Sequence, residues 1–546
     1  MTSPPVPAPL ALTPPPSDLP RPRLRFERFA KPRFKEDVSR QMHPWLGCPD
    51  AQVPKDHLAR RIVMQLDGFD TSPAEWCYSS LGRRGHHPRR LLALWVYAAA
   101  TGIQYASVLS RQLKTDAALR LLSGGVDVSD QALKVFRREH KDLIAAAVAW
   151  TVREAVSQGL VDPRTVAIDS LRLMADASTK SVRTRERSEK RLAQLKKVDP
   201  SMLTAEKAAE VAQKIEKHEI AVERCRREGR ASHSVTDTNA SLMKLPTGAG
   251  APCHRVTASV TGKTVRFVVN VPIFSRPTDY GHLEESTLAA REALIAAGIP
   301  AREGAPAMQV AADAGYLAPA DLAFAEKVRE KIDLLVPVPP PAVRRNAEGE
   351  PLFGRDSFTI HEDGTATCPA GRVMQGPRTR GEHVREWKGK DCDTCALKTQ
   401  CTSGKQRTLV IDHESERLRG KMKARLDEPG AKQRYNQRLA TVEPVFSYLE
   451  DVLGFRRACS RKLDTVTAEV LLRVLAHNLE RLYRYGKGGA PGGPNGGAPR
   501  SEKRGDRTGA SADRACPLYS IWVSGVVGPH RERVLTIWTD FGPLAW

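Results

Sequence analysis

The chain has 546 residues, enough for about two or three domains that each bury a hydrophobic core. Its 85 Lys and Arg residues exceed its 63 Asp and Glu residues, and the formal net charge of +22 favours a polyanionic partner such as nucleic acid, although a ribosome-associated or merely basic protein would have the same charge. No apolar run reaches the roughly 20 residues of a membrane-spanning helix, which excludes an integral helical membrane protein. We therefore expect a cytoplasmic protein without membrane contact.

The N-terminal part of the chain predicts a tail followed by a helical domain. Residues 1–50 are rich in proline, and their arginines follow the apolar part, the reverse of the order in a secretory signal, so we expect a disordered tail. Residues 51–162 repeat apolar side chains at helical spacing, in segments such as VPKDHLARRIVMQL and RRLLALWVYAAATG. This pattern predicts an all-helical N-terminal domain. We expect this domain to serve in DNA binding and dimerisation.

One short helix of this domain is a candidate DNA contact. In the segment SDQALKVFRRE, Ser129 predicts the N-terminal cap, and Lys134, Arg137 and Arg138 follow in the later turns. Basic side chains behind a cap suit a phosphate backbone, but basic exposed faces are also common on bundle helices. A solvated charged face is therefore an equal alternative.

Beyond residue 162 the sequence predicts a mixed α/β core in two parts. Residues 163–338 contain short β-branched runs in TVAIDSLRL, HRVTASVT, VRFVVNVPIF, MQVAADAGY and KIDLLVPV. Charged segments at 179–230 interrupt this part and predict two long helices. The core resumes at 431–485 with two helices, and 486–546 predict a Gly-rich linker and an unrelated tail.

Three acidic residues of this core are candidate metal ligands. Asp169 and Asp313 each follow an apolar run and are expected at strand ends, whereas Glu443 lies on the face of a helix beside Val442. Carboxylates are costly to bury unpaired, and three that converge would suit Mg²⁺ or Mn²⁺. Two such ions about 4 Å apart activate an attacking oxygen and stabilise the leaving one. Taken singly, each acid is equally typical of an ordinary strand end or helix surface.

Four cysteines lie in the segment 339–430, which separates the two parts of the predicted core. They are Cys368, Cys392, Cys395 and Cys401, with the spacing C-x23-C-x2-C-x5-C. This spacing favours a closed structural zinc site, and zinc would stabilise a segment without an obvious apolar core of its own. Reduced cysteines without a metal are the alternative. A redox-active CDTC pair is disfavoured because no strand and helix are predicted around it.

The order of several segments resembles the DDE transposases of bacterial insertion sequences, over most of residues 53–485. These segments are LGRRGHHPRRLLALWVYAAATG, LLSGG, AIDSLRLMADAS, TDTNASLMK, AADAGYLAPADL, the CxxC segment, YNQRLATVEPVFSYLEDVLGFRR and LAHNLERL. No single segment is decisive, and their order makes the match specific. The resemblance implies an RNase H-like mixed sheet flanked by helices. It also implies an enzyme that cleaves DNA at the inverted-repeat ends of its element and joins the freed 3′-hydroxyl to target DNA.

The resemblance also assigns roles to individual residues. It implies that Asp169, Asp313 and Glu443 are the catalytic acids, which hold two Mg²⁺ or Mn²⁺ ions. It implies that Tyr435 and Arg438 contact phosphates at the element ends. It further implies a homodimer that bridges two ends, associated with the nucleoid.

Other residues near these motifs extend or weaken the assignment. Arg456 and Arg457 are candidates to assist the contacts to the element ends. Ser170 stands where the family usually has Gly, and Glu450 stands where it often has a basic residue. These departures leave an alternative function open, that of a catalytically inactive relic or DNA-binding protein that occupies element ends without cutting them. Asp237 matches a further family acid, for which a cap or turn is an equal explanation.

Overall fold

The computed structural model describes residues 31–487 of the chain, except for 45–46, 200–201, 228, 230–231, 246, 300–307 and 341–342. The predicted N-terminal tail up to residue 30 lies outside the described residues. So do the predicted linker and C-terminal tail from residue 488 onwards.

Part of the expected N-terminal tail is folded against the helical domain. The backbone N–H of Val38 donates to the carbonyl of Gly124 at 2.8 Å, and Phe34 forms a β-bridge with Gly85. The next residue, Gly125, has a φ of 74°, and a Cβ there would lie 2.8 Å from the Val38 side chain. The glycine pair of the LLSGG segment thus permits this close approach, and residues 31–44 belong to the domain rather than to a tail.

The N-terminal domain is helical, as predicted. Its helices are α1 (Pro49–Gln52), α2 (Leu58–Leu66), α3 (Ser72–Glu75), α4 (Pro88–Ala100), α5 (Ala106–Gln112), α6 (Ala117–Ser123), α7 (Asp130–Glu139) and α8 (Lys141–Ser157). Pro88 occupies the first turn of α4, where its missing N–H costs nothing, and the ring of His87 caps the helix. Ser129 caps α7 by accepting the N–H of Ala132 at 3.2 Å. Local capping chemistry therefore sets where both helices begin.

A mixed sheet forms the centre of the second part. Its strands among the described residues are β1 (Thr165–Met174), β4 (Ser241–Lys244), β5 (Gly250–Thr261), β6 (Phe267–Asn270), β7 (Ile273–Phe274), β8 (Met308–Ala312) and β9 (Ile332–Leu335). The main order is β4-β5-β1-β8-β9, and β6 and β7 also pair with β5. β1 runs antiparallel to β5 and parallel to β8, which is parallel to β9. This topology confirms the predicted RNase H-like fold class.

The charged segment at 179–230 forms a helical arm. Two short strands, β2 (Val182–Thr184) and β3 (Ser232–Ser234), pair antiparallel at its base. Between them lie the helices α9 (Arg185–Leu195) and α10 (Ala205–Arg227), which pack against each other. The arm leaves and rejoins the core beside β1 and β4.

Helices cover both faces of the sheet. One face packs against α11 (Leu283–Ala296), α12 (Pro319–Lys327) and α14 (His413–Asp427). The other face packs against α15 (Ala431–Ser447), which continues as a π-helical turn at Tyr448–Val452, and α16 (Leu463–Tyr485). Side chains alternate along β1, so Ile168 enters the first core and Leu171 the second. The second core also contains α4 and α8, so the helical domain and the sheet share one hydrophobic interior.

The cysteine segment forms a small unit of its own beside the sheet. Its elements are β10 (Thr359–Ile360), β11 (Ala366–Thr367), β12 (Gln375–Arg380), β13 (Val384–Lys388), α13 (Lys398–Cys401) and β14 (Thr408–Asp412). The expectation that this segment lacks an apolar core was wrong: Trp387 is fully buried and packs with Phe358, Met374 and Leu409. The apolar residues of this core alternate with polar ones on short strands, so the sequence shows no apolar run long enough to predict a core. Among the helices that the structure describes, none has the length and apolar character needed to cross a bilayer.

Candidate active site

Two of the three predicted acids lie side by side at the centre of the sheet. Asp169 is in the middle of β1, not at its end, because β1 continues along β5 as far as Met174. β8 stops at Ala312, which is paired with Ile168, so Asp313 leaves the sheet next to Asp169. The parallel register of two strands distant in the chain therefore brings both carboxylates together.

Arg438 of α15 occupies the space between the two carboxylates. Its Nη1 donates to Asp169 Oδ2 at 2.7 Å, and its Nη2 lies 3.8 Å from Asp313 Oδ1. The Arg438 side chain is only 5% exposed, whereas that of Asp313 is 50% exposed. The ring of Tyr435, one turn earlier on α15, lies 5.9 Å from the guanidinium carbon. The predicted DNA contact Arg438 is therefore engaged inside the site by the predicted metal ligands.

The electrostatics of Asp169 combine burial with this ion pair. Burial raises the pKa of the Asp169 carboxyl above its ordinary value, while the Arg438 guanidinium and the N–H of Ser170 act in the opposite direction. The negative charge of Asp313 adds to the upward shift. The arginine thus reduces, without removing, the cost of holding two carboxylates close together in a partly dry site.

Glu443 lies on α15 but is not joined to the other two acids. It is exposed and follows Arg438 by five residues, which is about 7.5 Å along a helix axis. The next residue, Pro444, has no N–H for the carbonyl of Ala440, and Arg266 donates to that carbonyl instead at 2.7 Å. Within the described ranges no group of three or more His, Cys, Asp or Glu side chains is arranged to hold a metal ion. The donor chemistry nevertheless fits a hard cation, because two carboxylates already converge on one positive group.

A second polar network, which sequence reasoning missed, lies directly behind the aspartates. The hydroxyl of Ser170 donates to Asp279 Oδ1 at 2.5 Å, and Arg255 donates to Ser170 at 2.7 Å and to Asp279 at 2.7 and 2.9 Å. A Cβ on Gly315 would lie 3.3 Å from Asp279 Oδ2. Asp279 is therefore hydrogen-bonded to the strand of Asp169 through Ser170 and lies close to the turn after Asp313. Nothing in the spacing of the segment SRPTDYGHLEE signals this, because its partners lie on other elements.

This network also explains one departure from the family pattern. Glycine at position 170 would have no hydroxyl to place between Arg255 and Asp279. Arg255 is 4% exposed, so each of its partners reduces the cost of burying its charge. Ser170 is thus part of a satisfied polar network beside the site.

The basic residues predicted on α7 have different surroundings. Lys134 and Arg138 are exposed and pair with Asp130 and Glu139 at 2.8 and 2.7 Å. Arg137 is only 7% exposed. Its guanidinium lies 3.4 Å from buried Glu469 and donates to Ser460 at 2.8 Å. Arg137 therefore lies on the buried face of α7 and links this helix to the interior near α16. Of the three predicted basic residues, Lys134 and Arg138 face solvent.

The remaining predicted polar residues lie on a loop and in the interior. Arg456 and Arg457 are exposed, and Arg456 pairs with Asp451 at 2.5 Å. Asp237 is 3% exposed, and its Oδ2 lies 3.1 Å from His254 Nε2. Its contact with a buried histidine gives Asp237 an interior role apart from the aspartate pair.

The four predicted zinc ligands surround one small cavity. Cys368, Cys392, Cys395 and Cys401 line it, and its volume of about 20 Å³ is the room of a single water-sized atom. Burial raises the pKa of the Cys401 thiol; the Arg407 guanidinium opposes this shift and the three other thiols add to it. A Cβ on Gly389 would lie 2.5 Å from Cys392 Sγ, so glycine leaves room for the thiol. The four cysteines thus lie close together, but their side chains as described are not arranged to hold a metal ion.

Comparison with known families agrees with the order of the motifs. Residues 48–137 match the family model described as a transposase domain (DUF772), and residues 367–483 match the one described as a transposase DDE domain. The first match covers most of the helical domain, and the second contains the four cysteines and Glu443. No protein of curated function matches the chain. The two matches follow the predicted order along the chain, and together with the RNase H-like sheet they are consistent with a DDE transposase of the insertion-sequence type.

Proposed function

We propose that this transposase cleaves DNA at the inverted-repeat ends of its own element and joins the freed 3′-hydroxyl to target DNA. Asp169, Asp313 and Glu443 are the proposed catalytic acids. The observation that carries the proposal is the convergence of Asp169 and Asp313 on one cationic group, Arg438. Transposases with DDE domains depend generally on divalent metal ions, and Mg²⁺ or Mn²⁺ suits these oxygen donors.

The proposed catalysis depends on how the protein holds the three acids. The two aspartates would bind a pair of divalent ions, which lower the pKa of the attacking group and stabilise charge on the leaving oxygen. The Ser170–Arg255–Asp279 network would keep the strand of Asp169 and the turn after Asp313 at a constant separation. Glu443 would complete the ligand set after a small rearrangement at Pro444 and the adjoining π-helical turn, a feature often found at functional sites.

Arg438 would then have two alternative partners. In the absence of metal its guanidinium neutralises the aspartates. A cation bound between the same carboxylates would repel it, and a phosphate at the element end would offer a new anionic partner. Arg438 would thereby exchange a carboxylate for a DNA phosphate as the site becomes active.

Other contacts would position the DNA. We propose that Tyr435, Arg456, Arg457, Lys134 and Arg138 bind phosphates in a salt-sensitive manner, and that a homodimer bridges two element ends in association with the nucleoid. The cysteine cavity would hold a structural zinc ion. Arg137 would act indirectly, by holding α7 against the interior.

A second candidate function is occupation of element ends without cutting. The observations that favour it are the exposed position of Glu443 and the placement of Arg438 between the aspartates. Purified protein that binds end-containing DNA but makes no nicks with Mg²⁺ or Mn²⁺ would support this function.

The cleavage proposal is tested with Asp169→Asn, Asp313→Asn and Glu443→Gln. Each change is expected to lower Mg²⁺-dependent strand cleavage by on the order of 10³-fold, since each removes a charge that acts in the transition state. Binding to end DNA should persist in a gel-shift assay, and thermal denaturation shows whether each variant folds. Glu186→Gln is the control, because this exposed acid lies on the helical arm, where it pairs with Lys190 at 2.8 Å. Normal cutting by any one of the three variants contradicts the assignment.

A further inference from the structure

A polar groove of about 540 Å³ opens at the far end of β1 from the aspartate pair. One wall is the turn after β1, and the other is the loop 454–462, here called the basic loop. The polar side chains that line the groove are Asp176, Ser178, Thr179, Thr236, Arg457 and Arg461. The groove thus combines two guanidinium groups with three hydroxyl groups, which are the donors that bind phosphate oxygens.

The basic loop is held in place by contacts on its buried side. The N–H of Met174 donates to Arg456 O at 3.1 Å, and the N–H of Ala458 donates to Met174 O at 2.8 Å, which extends the edge of β1. On the other side, Arg137 donates to Ser460 and pairs with Glu469. The loop is therefore a fixed part of the sheet edge, and a ligand in the groove would meet preplaced groups.

The charge of the basic loop points to an anionic ligand. Its sequence GFRRACSRK contains three arginines and one lysine, without any acid. Arg457 and Arg461 are both exposed at the groove. Asp176 supplies the opposing charge in the lining. Arg461 Nε donates to the Asp176 side-chain Oδ2 and to the Asp176 backbone carbonyl, each at 3.0 Å. Both side chains of this ion pair remain about half exposed, so a stronger anion can compete for the arginine.

We infer that this groove binds a phosphodiester segment of the DNA whose cleavage is proposed above, at a fixed distance from the cut. Met174 lies five residues beyond Asp169 on β1, which is about 16 Å at roughly 3.3 Å per residue. Duplex DNA rises about 3.4 Å per base pair, so the bound phosphate lies about five base pairs from the scissile one. Arg457 and Arg461 are its cationic partners, and Ser178, Thr179 and Thr236 supply neutral donors. This inference rests on the proposed function only for the position of the cut.

The first experiment measures DNA binding without cleavage. In EDTA, Arg461→Gln and Arg457→Gln are each expected to weaken binding of end DNA by about tenfold, the size of one charge-assisted hydrogen bond. Each should also lower the slope of log affinity against log salt by about 1. Arg329→Gln is the matched control. Arg329 is 56% exposed and pairs with Glu428 at 3.0 Å. Arg461 is similarly 55% exposed and pairs with Asp176 at 3.0 Å. Equal effects of Arg329→Gln and Arg461→Gln contradict the inference.

The second experiment tests the sign of the charge and the distance. Asp176→Asn is expected to tighten DNA binding about threefold or more, because it removes the acid that competes with phosphate for Arg461. Duplexes shortened to about three base pairs on the relevant side of the cut should bind wild type and Arg461→Gln equally well. Weaker binding by Asp176→Asn, or an unchanged penalty for Arg461→Gln on short DNA, overturns the inference. Because EDTA removes catalysis, these outcomes are independent of whether the acidic residues cut DNA.

Discussion

The aspartate pair and the cysteine cavity are both built from groups that commonly bind metals, but the protein balances their charges differently. Arg438 lies between Asp169 and Asp313 as an internal counter-ion. At the cysteine cavity, burial outweighs the effect of the nearby Arg407 guanidinium, so the pKa of the Cys401 thiol is raised. A carboxylate near neutral pH needs a cationic partner even when no metal is bound, whereas a thiol can keep its proton.

The two sites would therefore depend on a metal in different ways. Asp169 lies within the central sheet and Asp313 directly follows β8, and Arg438 already pairs with both carboxylates, so we expect this part of the fold to form without a metal. The cysteines belong to a small unit with a modest core, and a bound ion would contribute directly to its stability. The comparison predicts that metal removal affects structure at the cysteines and chemistry at the aspartates.

The largest expected effect is loss of zinc from the cysteine cavity. Cys392→Ser should abolish stoichiometric zinc in freshly purified protein and remove a binding free energy on the order of 10 kcal/mol, as at other structural zinc sites. Hydrogen exchange should then show loss of protection in β12 to β14, with protection retained in β1 and β8. Cys77→Ser is the control, because Cys77 is exposed and lies outside the cavity. Wild-type protein without zinc would remove the proposed difference between the two sites.

A smaller effect is expected from the internal counter-ion. Arg438→Ala should lower the free energy of unfolding by about 3 kcal/mol without metal, the lower end of the range for a broken buried pair because Asp169 is partly exposed. Mn²⁺ should restore part of this loss, since a cation can again neutralise the aspartates. Arg434→Ala on the same helix is the control, as its pairing with Asp333 at 3.6 Å is looser. Denaturant titration with and without Mn²⁺ measures both. An unchanged stability in Arg438→Ala contradicts the counter-ion role.

A further expected effect is the pH dependence of zinc binding. A raised pKa means that the folded Cys401 thiol holds its proton to a higher pH than usual, so zinc must displace that proton. Zinc affinity should therefore fall as pH is lowered from 8 to 6, by about tenfold per pH unit for each proton released. Mg²⁺ binding at the aspartates should change less over this range. Calorimetry in buffers of different ionisation enthalpy counts the protons, and a count of zero contradicts the prediction.

The sequence predicted much of the local structure because that structure depends on neighbouring residues. The cap at Ser129, the helices of the N-terminal domain and the β-branched strand around Asp169 are all visible as short-range patterns. The grouping of the four cysteines in one segment also follows from their spacing. The small core around Trp387 was missed because its residues are scattered over short strands with polar neighbours.

The catalytic assignment could be predicted only in part. The resemblance implied that Asp169 and Asp313 belong to one site, whereas the parallel pairing of β1 and β8 that brings them together was seen only in the structure. The role of Asp279 could not be predicted, because its partners Ser170 and Arg255 are 109 and 24 residues away along the chain. The burial of Arg137 was likewise hidden, since a basic residue on a charged helix is usually exposed.

The sequence therefore predicted many of the helices and strands, identified the available acids and cysteines, and favoured a polyanionic partner. Only the tertiary structure decided which charges are paired. Arg438 and Asp169 are 269 residues apart, and their contact exists because α15 packs across β1. Periodicity depends on residues a few positions apart, whereas the partner of a buried charge depends on how distant elements pack.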